Sequence, residues 1–201
     1  MTAEEVKSFE RCIAAGGVAL FPADTVYGLA TEPDSRSGVE RLYRLKGRPA
    51  ERPAAVMFFG IEPALAALPE LGERTRGAVE RLLPGALTLV LPNPARRYPL
   101  ACGPEPERIG LRVPRLDGTP LAGVGRPVLQ SSANRSGGAD ARRVGEVDEH
   151  IRAGVDLVLD GGELPGTPSS VVDLSDYERD GCWTLLREGA VSAAELEEAL
   201  A

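Results

Sequence analysis

The sequence predicts an α+β protein in which a mixed β-sheet is covered by helices. Segments with helical spacing and segments with strand-like spacing of apolar residues alternate along the 201 residues. Several strand segments nevertheless follow one another with no helix between them, which is typical of a mixed sheet rather than a strictly parallel one. The longest apolar runs hold about five residues, whereas a membrane-spanning helix needs about 20, so we expect no membrane segment.

The first elements are predicted from caps and from apolar spacing. Thr2-Ala-Glu-Glu5 forms a capping box, and the helix that it opens should end at Gly16-Gly17. Val18–Phe21 is a short apolar run between Gly and Pro, which predicts a buried strand. Asp24–Ala30 is expected to be a turn that enters a short helix.

The later elements follow the same rules. Further helices are predicted over about Ser37–Lys46, Glu73–Leu83 and Val144–Ile151, and from a second capping box at Ser192–Glu195 to Leu200. Further strands are predicted over Ala55–Phe59, Ala86–Leu91, Ile109–Val113, Val128–Gln130, Val155–Leu159, Ser170–Leu174 and Trp183–Leu186. We expect one domain over residues 1–201, because this length suits a single core.

Charge and cysteine content narrow the function classes. The chain has 23 Lys and Arg against 30 Asp and Glu, a net charge of −7. This balance argues against bulk electrostatic binding to nucleic acid or to an anionic membrane, but it leaves room for a local basic pocket. Three cysteines without a CxxC motif and a single His give no zinc pattern, and we expect a reducing cytoplasm.

The densest cationic segment follows the second predicted helix. Lys46, Arg48 and Arg52 lie within seven residues of one another, in a loop that Gly47 and Pro49 keep from continuing as helix. Arg offers a planar fork of donors for phosphate oxygens, and Lys offers a mobile point charge. The segment is therefore either a phosphate-binding loop or an ordinary solvated surface loop.

A second polar segment, Gln130–Gly138, follows a predicted strand. Its small hydroxyl residues, its Asn and its Gly-Gly end would let a ligand approach the backbone closely. It contains no P-loop motif and no dinucleotide-binding fingerprint, so an ordinary turn is the alternative.

Four other polar residues lie at positions that suggest a role. Asp24 and Thr25 would cap the turn after the first strand. Arg112 should point to the face opposite Leu111 and Val113, because side chains alternate along a strand. Arg112 and Arg187 are each either ligand-binding residues or arginines at the surface.

Taken together, seven segments resemble the YrdC-type threonylcarbamoyl-adenylate synthase family. In chain order they are Pro22-Ala-Asp-Thr-Val-Tyr-Gly-Leu29, Lys46-Gly-Arg-Pro49, Pro84-Gly-Ala-Leu-Thr-Leu-Val-Leu91, Leu111-Arg-Val-Pro114, Ser132-Ala-Asn-Arg-Ser-Gly137, Ser169-Ser-Val-Val-Asp173 and Leu186-Arg-Glu-Gly189. Each motif is weak alone, but seven in order across nearly the whole chain are a specific signal.

The resemblance implies a three-layer fold, in which a twisted mixed sheet and its flanking helices enclose a deep basic cleft. It also implies the short, single-domain form of the family. The implied reaction joins L-threonine, bicarbonate and ATP into threonylcarbamoyl-AMP and pyrophosphate. A partner transferase would then pass the threonylcarbamoyl group to an adenosine in tRNA.

The resemblance also implies the site residues. ATP would be bound by Lys46, Arg48, Arg52, Ser132, Asn134 and Arg187, and Lys46 and Arg48 would be catalytic. L-threonine would be bound by Thr25, Arg112, Gln130 and Ser169. Mg²⁺ is expected on the phosphates of ATP, ligated by substrate and water rather than by the chain.

Three departures from the family pattern keep other functions open. Ala23 replaces a usual Thr, Met57 stands where some members carry a His, and Asp140 lies near the expected place of a phosphate-facing Ser. One alternative is therefore a paralogue that makes another carbamoyl-adenylate. The other is a module that binds double-stranded RNA or tRNA.

Overall fold

Nine strands form one sheet in the computed structural model, which describes residues 1–49 and 51–201. Along the chain they are β1 (Ala19–Pro22), β2 (Tyr27–Thr31), β3 (Ala55–Met57), β4 (Leu87–Pro92), β5 (Arg108–Arg112), β6 (Val128–Ser132), β7 (Leu157–Val158), β8 (Ser170–Asp173) and β9 (Thr184–Arg187). Their order in the sheet is β7-β1-β2-β6-β3-β5-β4-β8-β9. Ala50, which falls inside the predicted cationic loop, lies outside the described residues.

The sheet is mixed, as predicted. Strand pairs β1–β7, β3–β5 and β4–β8 are parallel, and the other five neighbouring pairs are antiparallel. Helices flank this sheet, which confirms the predicted fold class; the depth and the basic character of the implied cleft stay predictions.

The helices are α1 (Ala3–Ala14), α2 (Arg36–Lys46), α3 (Ile61–Ala67), α4 (Glu73–Leu82), α5 (Pro99–Cys102), α6 (Glu149–Gly154), α7 (Tyr177–Asp180) and α8 (Ala193–Leu200). The capping boxes predicted at Thr2 and Ser192 are both present. No helix in the described part of the chain combines the length and the apolar character that crossing a membrane requires.

The two faces of the sheet are covered differently. The face that carries Val56, Leu89, Leu111 and Leu129 is buried in the larger core, to which α2, α4 and α8 also contribute. On the opposite face, α1 packs through Phe9 onto one end of the sheet, and the smaller core there includes Met57 and Val128. Beyond α1, the same face continues over β3, β5, β4, β8 and β9, and a cavity lies on this part of the sheet.

The strand β2 corrects one prediction. The segment Asp24–Ala30 does not enter a helix, because Tyr27–Thr31 pairs on both sides, with β1 and with β6. All five residues of β2 are buried. Pairing with two neighbouring strands outweighs the local turn signal of Asp24 and Thr25.

The helix predicted over Val144–Ile151 is also divided in the structure. A 3-10 turn spans Val144–Glu146, and α6 starts only after Asp148, whose side chain accepts a hydrogen bond from His150 N at 2.9 Å. The sequence analysis did not predict the helices α3, α5 and α7 or the 3-10 turn Pro120–Gly123. Each holds at most seven residues, and none has a side-chain hydrogen bond at its N-cap.

A long connection (residues 159–169) leads from β7, at one end of the sheet, to β8, next to the last strand at the other end. It is fixed on the way by backbone hydrogen bonds from Leu164 N to Arg142 O and from Gly166 N to Thr25 O, both 2.9 Å long. Glu163 adds an ion pair with Arg142 at 2.7 Å. This β7–β8 connection therefore brings Ser169 to the same region as Thr25.

We expect Phe9→Ala to lower the free energy of unfolding by about 3–5 kcal/mol, because the ring is fully buried. Its centroid lies 5.3 Å from that of Phe21 and 6.0 Å from that of Phe59. Urea unfolding of this variant and of Lys7→Ala, an exposed change on the same helix, would measure the difference. Equal stabilities for the two variants would contradict the packing described for α1.

Candidate active site

A cavity of about 420 Å³ opens on the sheet face that α1 leaves uncovered. Its wall is built from β3 to β6, β8 and β9, the loop after α2 and the end of the β7–β8 connection. Its charged lining residues are Arg48, Glu105, Arg108, Arg112 and Arg187. Hydroxyl and amide groups add donors and acceptors, from Thr88, Gln130, Ser131, Ser132 and Ser169.

Six of the ten predicted site residues line this cavity: Arg48, Arg112, Gln130, Ser132, Ser169 and Arg187. Lys46, Thr25 and Asn134 do not line it but hold residues that do. Arg52 is exposed and lies outside the lining. The structure thus brings nine of the ten into one connected set, and all the roles assigned to them stay predictions.

Lys46 fastens the polar loop that follows β6. Its side chain is 2% exposed, and its Nζ donates to Ser132 O, to Asn134 O at 2.8 Å and to Asn134 Oδ1 at 3.0 Å. Ser132 Oγ donates to the same Asn134 Oδ1 at 2.6 Å. Since an ammonium has three donors, these three acceptors use all of them, and Ser132 is fixed at the cavity wall.

Burial lowers the pKa of Lys46 to about 8. The nearby charge of Arg48 contributes to this shift, and the carboxylate of Asp140 opposes it. Arg142, which could have compensated Asp140, is paired with Glu163 instead.

Arg48 lies in the cavity wall, and none of the described acidic residues forms a salt bridge with its guanidinium. It lies 5.7 Å from the centre of the Tyr43 ring and donates through Nη2 to Pro53 O. Its Nε is buried and has no hydrogen-bond partner in the described part of the chain. Burial lowers the pKa of Arg48, and the nearby Arg52 contributes to the same shift. A guanidinium in this state attracts an anion such as a phosphate.

Arg112 is held by three acceptors from two distant segments. Its Nη2 donates to Asp24 Oδ1 and to Thr25 Oγ1 at 2.9 Å, and its Nη1 donates to Ser169 Oγ at 3.0 Å. The side chains of Arg112 and Asp24 are only 5% and 7% exposed. Asp24 and Thr25 were predicted as caps of a turn; they bind this guanidinium instead, because the segment that follows them is a strand.

Ser169 connects Arg112 with Arg187. The Ser169 carbonyl accepts from Arg187 Nη2 at 2.6 Å, and its hydroxyl lies 3.2 Å from Thr88 Oγ1. Gly189 makes this arrangement possible, since a Cβ there would lie 2.2 Å from Pro168 O. The glycine of the Leu186-Arg-Glu-Gly189 motif is therefore required by close approach of two backbones.

Gln130 depends on a glycine in the same way. A Cβ on Gly28, which pairs with Ser132 across β2 and β6, would lie 2.7 Å from Gln130 Nε2. The absence of a side chain at Gly28 thus leaves room for the Gln130 amide at the cavity wall. Met57, by contrast, is fully buried in the smaller core.

Arg108 is a lining residue that the sequence analysis missed. It pairs with Asp173 and donates through Nε to Ser175 Oγ at 2.9 Å. Alternation along β5 could have found it, because Arg108, Gly110 and Arg112 share one face of the strand.

Metal-ligating clusters are missing from the described residues, where no three His, Cys, Asp or Glu side chains lie together. Among the charged residues that line the cavity, Glu105 is the only acid. Oxygen-rich ligand sets are what Mg²⁺ requires, and the Mg²⁺ expected on the phosphates of ATP stays a prediction.

Comparison with protein families gives one match over most of the chain. The model of the Sua5, YciO and YrdC family, described as telomere recombination, matches residues 11–189. A threonylcarbamoyl-AMP synthase of Stenotrophomonas maltophilia is 33% identical over 159 residues, which are 74% of this chain and 82% of that protein.

Other relatives are longer than this chain. A threonylcarbamoyl-AMP synthase of Pyrococcus abyssi is 29% identical over 205 residues, covering 98% of this chain but 59% of that protein. The crystal structure of P. abyssi Sua5 complexed with L-threonine superposes with a TM-score of 0.82 at 27% identity, over 99% of this chain and 58% of the other. The chain thus spans little more than half the length of these relatives.

We expect the stability contributed by Lys46 to rise with pH. Because the pKa of Lys46 is about 8 when folded and ordinarily 10.5, the unfolded chain binds more protons between these values, and the free energy of unfolding increases there. In urea unfolding from pH 8 to 10, the free energy of unfolding of the wild type should rise relative to that of Lys46→Met.

Lys7, the other lysine of the chain, is 66% exposed and provides the control. The wild type and Lys7→Met should differ by a constant amount across the same pH range. A constant difference for Lys46→Met as well would show that the buried ammonium keeps an ordinary pKa.

Proposed function

The chain belongs to the Sua5, YciO and YrdC family, and on that premise we propose that it is an L-threonylcarbamoyladenylate synthase. It joins L-threonine, bicarbonate and ATP into threonylcarbamoyl-AMP and pyrophosphate. The observation that carries the proposal is the convergence of Arg48, Ser132 and Arg187 with Arg112 and Ser169 on one cavity. Similarity to proteins named threonylcarbamoyl-AMP synthase supports the same reaction.

The chemistry needs charge stabilisation at two places. The amino group of threonine first combines with bicarbonate, with loss of water, to form a carbamate, whose oxygen then attacks the α-phosphorus of ATP. The bond between the α-phosphorus and the bridging oxygen breaks, and pyrophosphate leaves with that oxygen. Negative charge gathers on the phosphates in this step, so cations already in place supply much of the catalysis.

The residues of the cavity divide between the two substrates. Arg48 and Arg187 face the phosphates, and Arg52, which lies outside the lining but near enough to Arg48 to lower its pKa, adds positive charge. Ser132 and Asn134, fixed by Lys46, bind the α-phosphate and the adenylate. Arg112, Thr25, Ser169 and Gln130 form the threonine subsite, and Arg112 supplies the positive charge that a carboxylate needs. Mg²⁺ enters with ATP as part of the substrate and neutralises its phosphates.

The product is used in tRNA modification. Threonylcarbamoyl-AMP carries an activated acyl group, which a separate transferase passes to an adenosine of tRNA. A protein in this role works in the cytoplasm, where the transferase and its tRNA substrate are found.

The direct test measures pyrophosphate release with ATP and bicarbonate, in the presence of each of the twenty amino acids. We expect release with L-threonine and formation of threonylcarbamoyl-AMP, identified by mass spectrometry. Release that depends on another carbamoyl donor instead would favour a paralogue with a different product. Salt-sensitive RNA binding without any release would favour an RNA-binding module.

We expect Arg48→Ala to lower kcat/KM by at least about tenfold, or about 1.4 kcal/mol, because a cation facing the phosphates is lost. Arg44→Ala is the matched control, since Arg44 is an exposed arginine of α2 that does not line this cavity. Both variants should keep the melting temperature of the wild type. Equal activity for both would refute the role of Arg48.

We expect Ser132→Ala to weaken ATP binding more than threonine binding, because the hydroxyl lies on the nucleotide side of the cavity. Titration calorimetry with each ligand measures the two affinities. A larger loss for threonine would assign this loop to the amino acid instead.

A further inference from the structure

The proposed substrate contacts give no role to Asp24, which forms a buried ion pair with Arg112. Arg112 lines the cavity, whereas Asp24 does not and lies behind it. Asp24 Oδ1 accepts from Arg112 Nη2, and Asp24 Oδ2 lies 3.4 Å from Arg115 N. The carboxylate is thus held between a guanidinium and a backbone amide, and it has no place on the cavity surface itself.

The hydrogen bonds of Arg112 show what this arrangement does. A guanidinium has five N–H donors, and Asp24, Thr25 and Ser169 accept three of them. Both donors of Nη2 point to the Asp24-Thr25 segment, and one donor of Nη1 points to Ser169. Arg112 is therefore clamped from both sides, and its orientation relative to the cavity is set by its acceptors.

Of these three acceptors, Asp24 alone carries charge. Thr25 and Ser169 offer neutral hydroxyls, which satisfy hydrogen bonds but do not compensate a buried cation. Removing one partner of a buried ion pair leaves an uncompensated charge and is strongly destabilising for the group that remains. Without the carboxylate, the guanidinium would be driven toward water, and the nearest space is the cavity.

We propose that Asp24 is a positioning residue of the amino-acid subsite: it acts through Arg112, which it holds at the wall of the cavity to bind the carboxylate of the substrate. The proposal rests on the proposed function, because it assigns the same cavity to an amino acid. It concerns only the threonine end of the cavity, since among the described residues Asp24 forms hydrogen bonds with Arg112 and Arg115 and none with Arg48, Ser132 or Arg187.

The first test compares Asp24→Asn with Asp156→Asn. Asp156 is a matched control, because it also accepts from an arginine and from a backbone amide, at 2.6 and 2.8 Å, but lies away from the cavity. We expect Asp24→Asn to raise the KM for threonine at least about tenfold and to change the KM for ATP less than about twofold. Asp156→Asn should leave both unchanged.

If Asp24→Asn lowered activity without raising the KM for threonine more than the KM for ATP, its role would be merely structural and the proposal would be overturned. A lower KM for threonine would overturn it too, since it would mean that Asp24 competes with the substrate carboxylate for Arg112.

The second test is a double-mutant cycle with Arg112→Gln. If Asp24 acts only through Arg112, Asp24→Asn changes the KM for threonine no further in the Arg112→Gln background. An additional increase would overturn the proposal. If Asp24→Asn alone does not fold, the neutral pair Asp24→Asn/Arg112→Gln should fold, because neither charge is left unpaired; failure of both variants counts against the proposal.

The third test does not depend on activity. The ¹H–¹⁵N signal of the buried Arg112 Nε, assigned by its loss in Arg112→Gln, should shift or broaden in Asp24→Asn and stay unchanged in Asp156→Asn. An unchanged signal in Asp24→Asn would overturn the proposal. If the wild type released no pyrophosphate with threonine but this signal still changed, the proposed function would fail while the positioning of Arg112 by Asp24 would stand.

Discussion

Arg112 lies almost fully buried in the cavity wall, and its charge is compensated by a carboxylate that precedes β2 rather than by solvent. Ser169, brought by the β7–β8 connection, accepts a further hydrogen bond from it. One guanidinium on β5 thus ties together residues 24, 112 and 169, which are far apart in the chain. Most of the proposed threonine subsite follows from this requirement, since each group that accepts from Arg112 is placed beside or behind the cavity wall by doing so.

On the proposed nucleotide side of the cavity, the buried cation is hydrogen-bonded differently. Lys46 is at least as buried as Arg112, but its acceptors are backbone carbonyls and an amide oxygen rather than a carboxylate. This arrangement fastens the Ser132–Asn134 turn while leaving the ammonium charge uncompensated within hydrogen-bonding distance. Together with Arg48, Lys46 places positive charge near this turn, whereas the charge of Arg112 is balanced by Asp24.

The sequence was informative where the signal was local or periodic. Both capping boxes, the mixed sheet and nearly all the strands could be predicted, because caps and alternating burial are properties of short segments. The prediction for Asp24–Ala30 was wrong because the turn signal of Asp24 and Thr25 hid the pairing with β1, and because the second partner, β6, lies far along the chain. Arg108 could have been predicted from the alternation of side chains on β5. The pairing of Asp24 with Arg112 could not, since no sequence pattern predicts a contact between residues so far apart in the chain. Lys46 and Arg48, two residues apart, look equivalent in sequence, but only Arg48 faces the cavity.

The course of the β7–β8 connection also fixes when the cavity can exist during biosynthesis. Ribosomes deliver the chain from its N-terminus, so Asp24 and Arg112 can meet early, whereas the hydroxyl of Ser169 is added only after the polypeptide has crossed the whole sheet. A nascent chain that stops before this crossing has a partly built sheet, with the guanidinium of Arg112 lacking one of its acceptors. Contacts between residues so distant in the chain form slowly, because a long loop must close first. The cavity wall, which includes Ser169 and Arg187, is therefore complete only after most of the chain has been made.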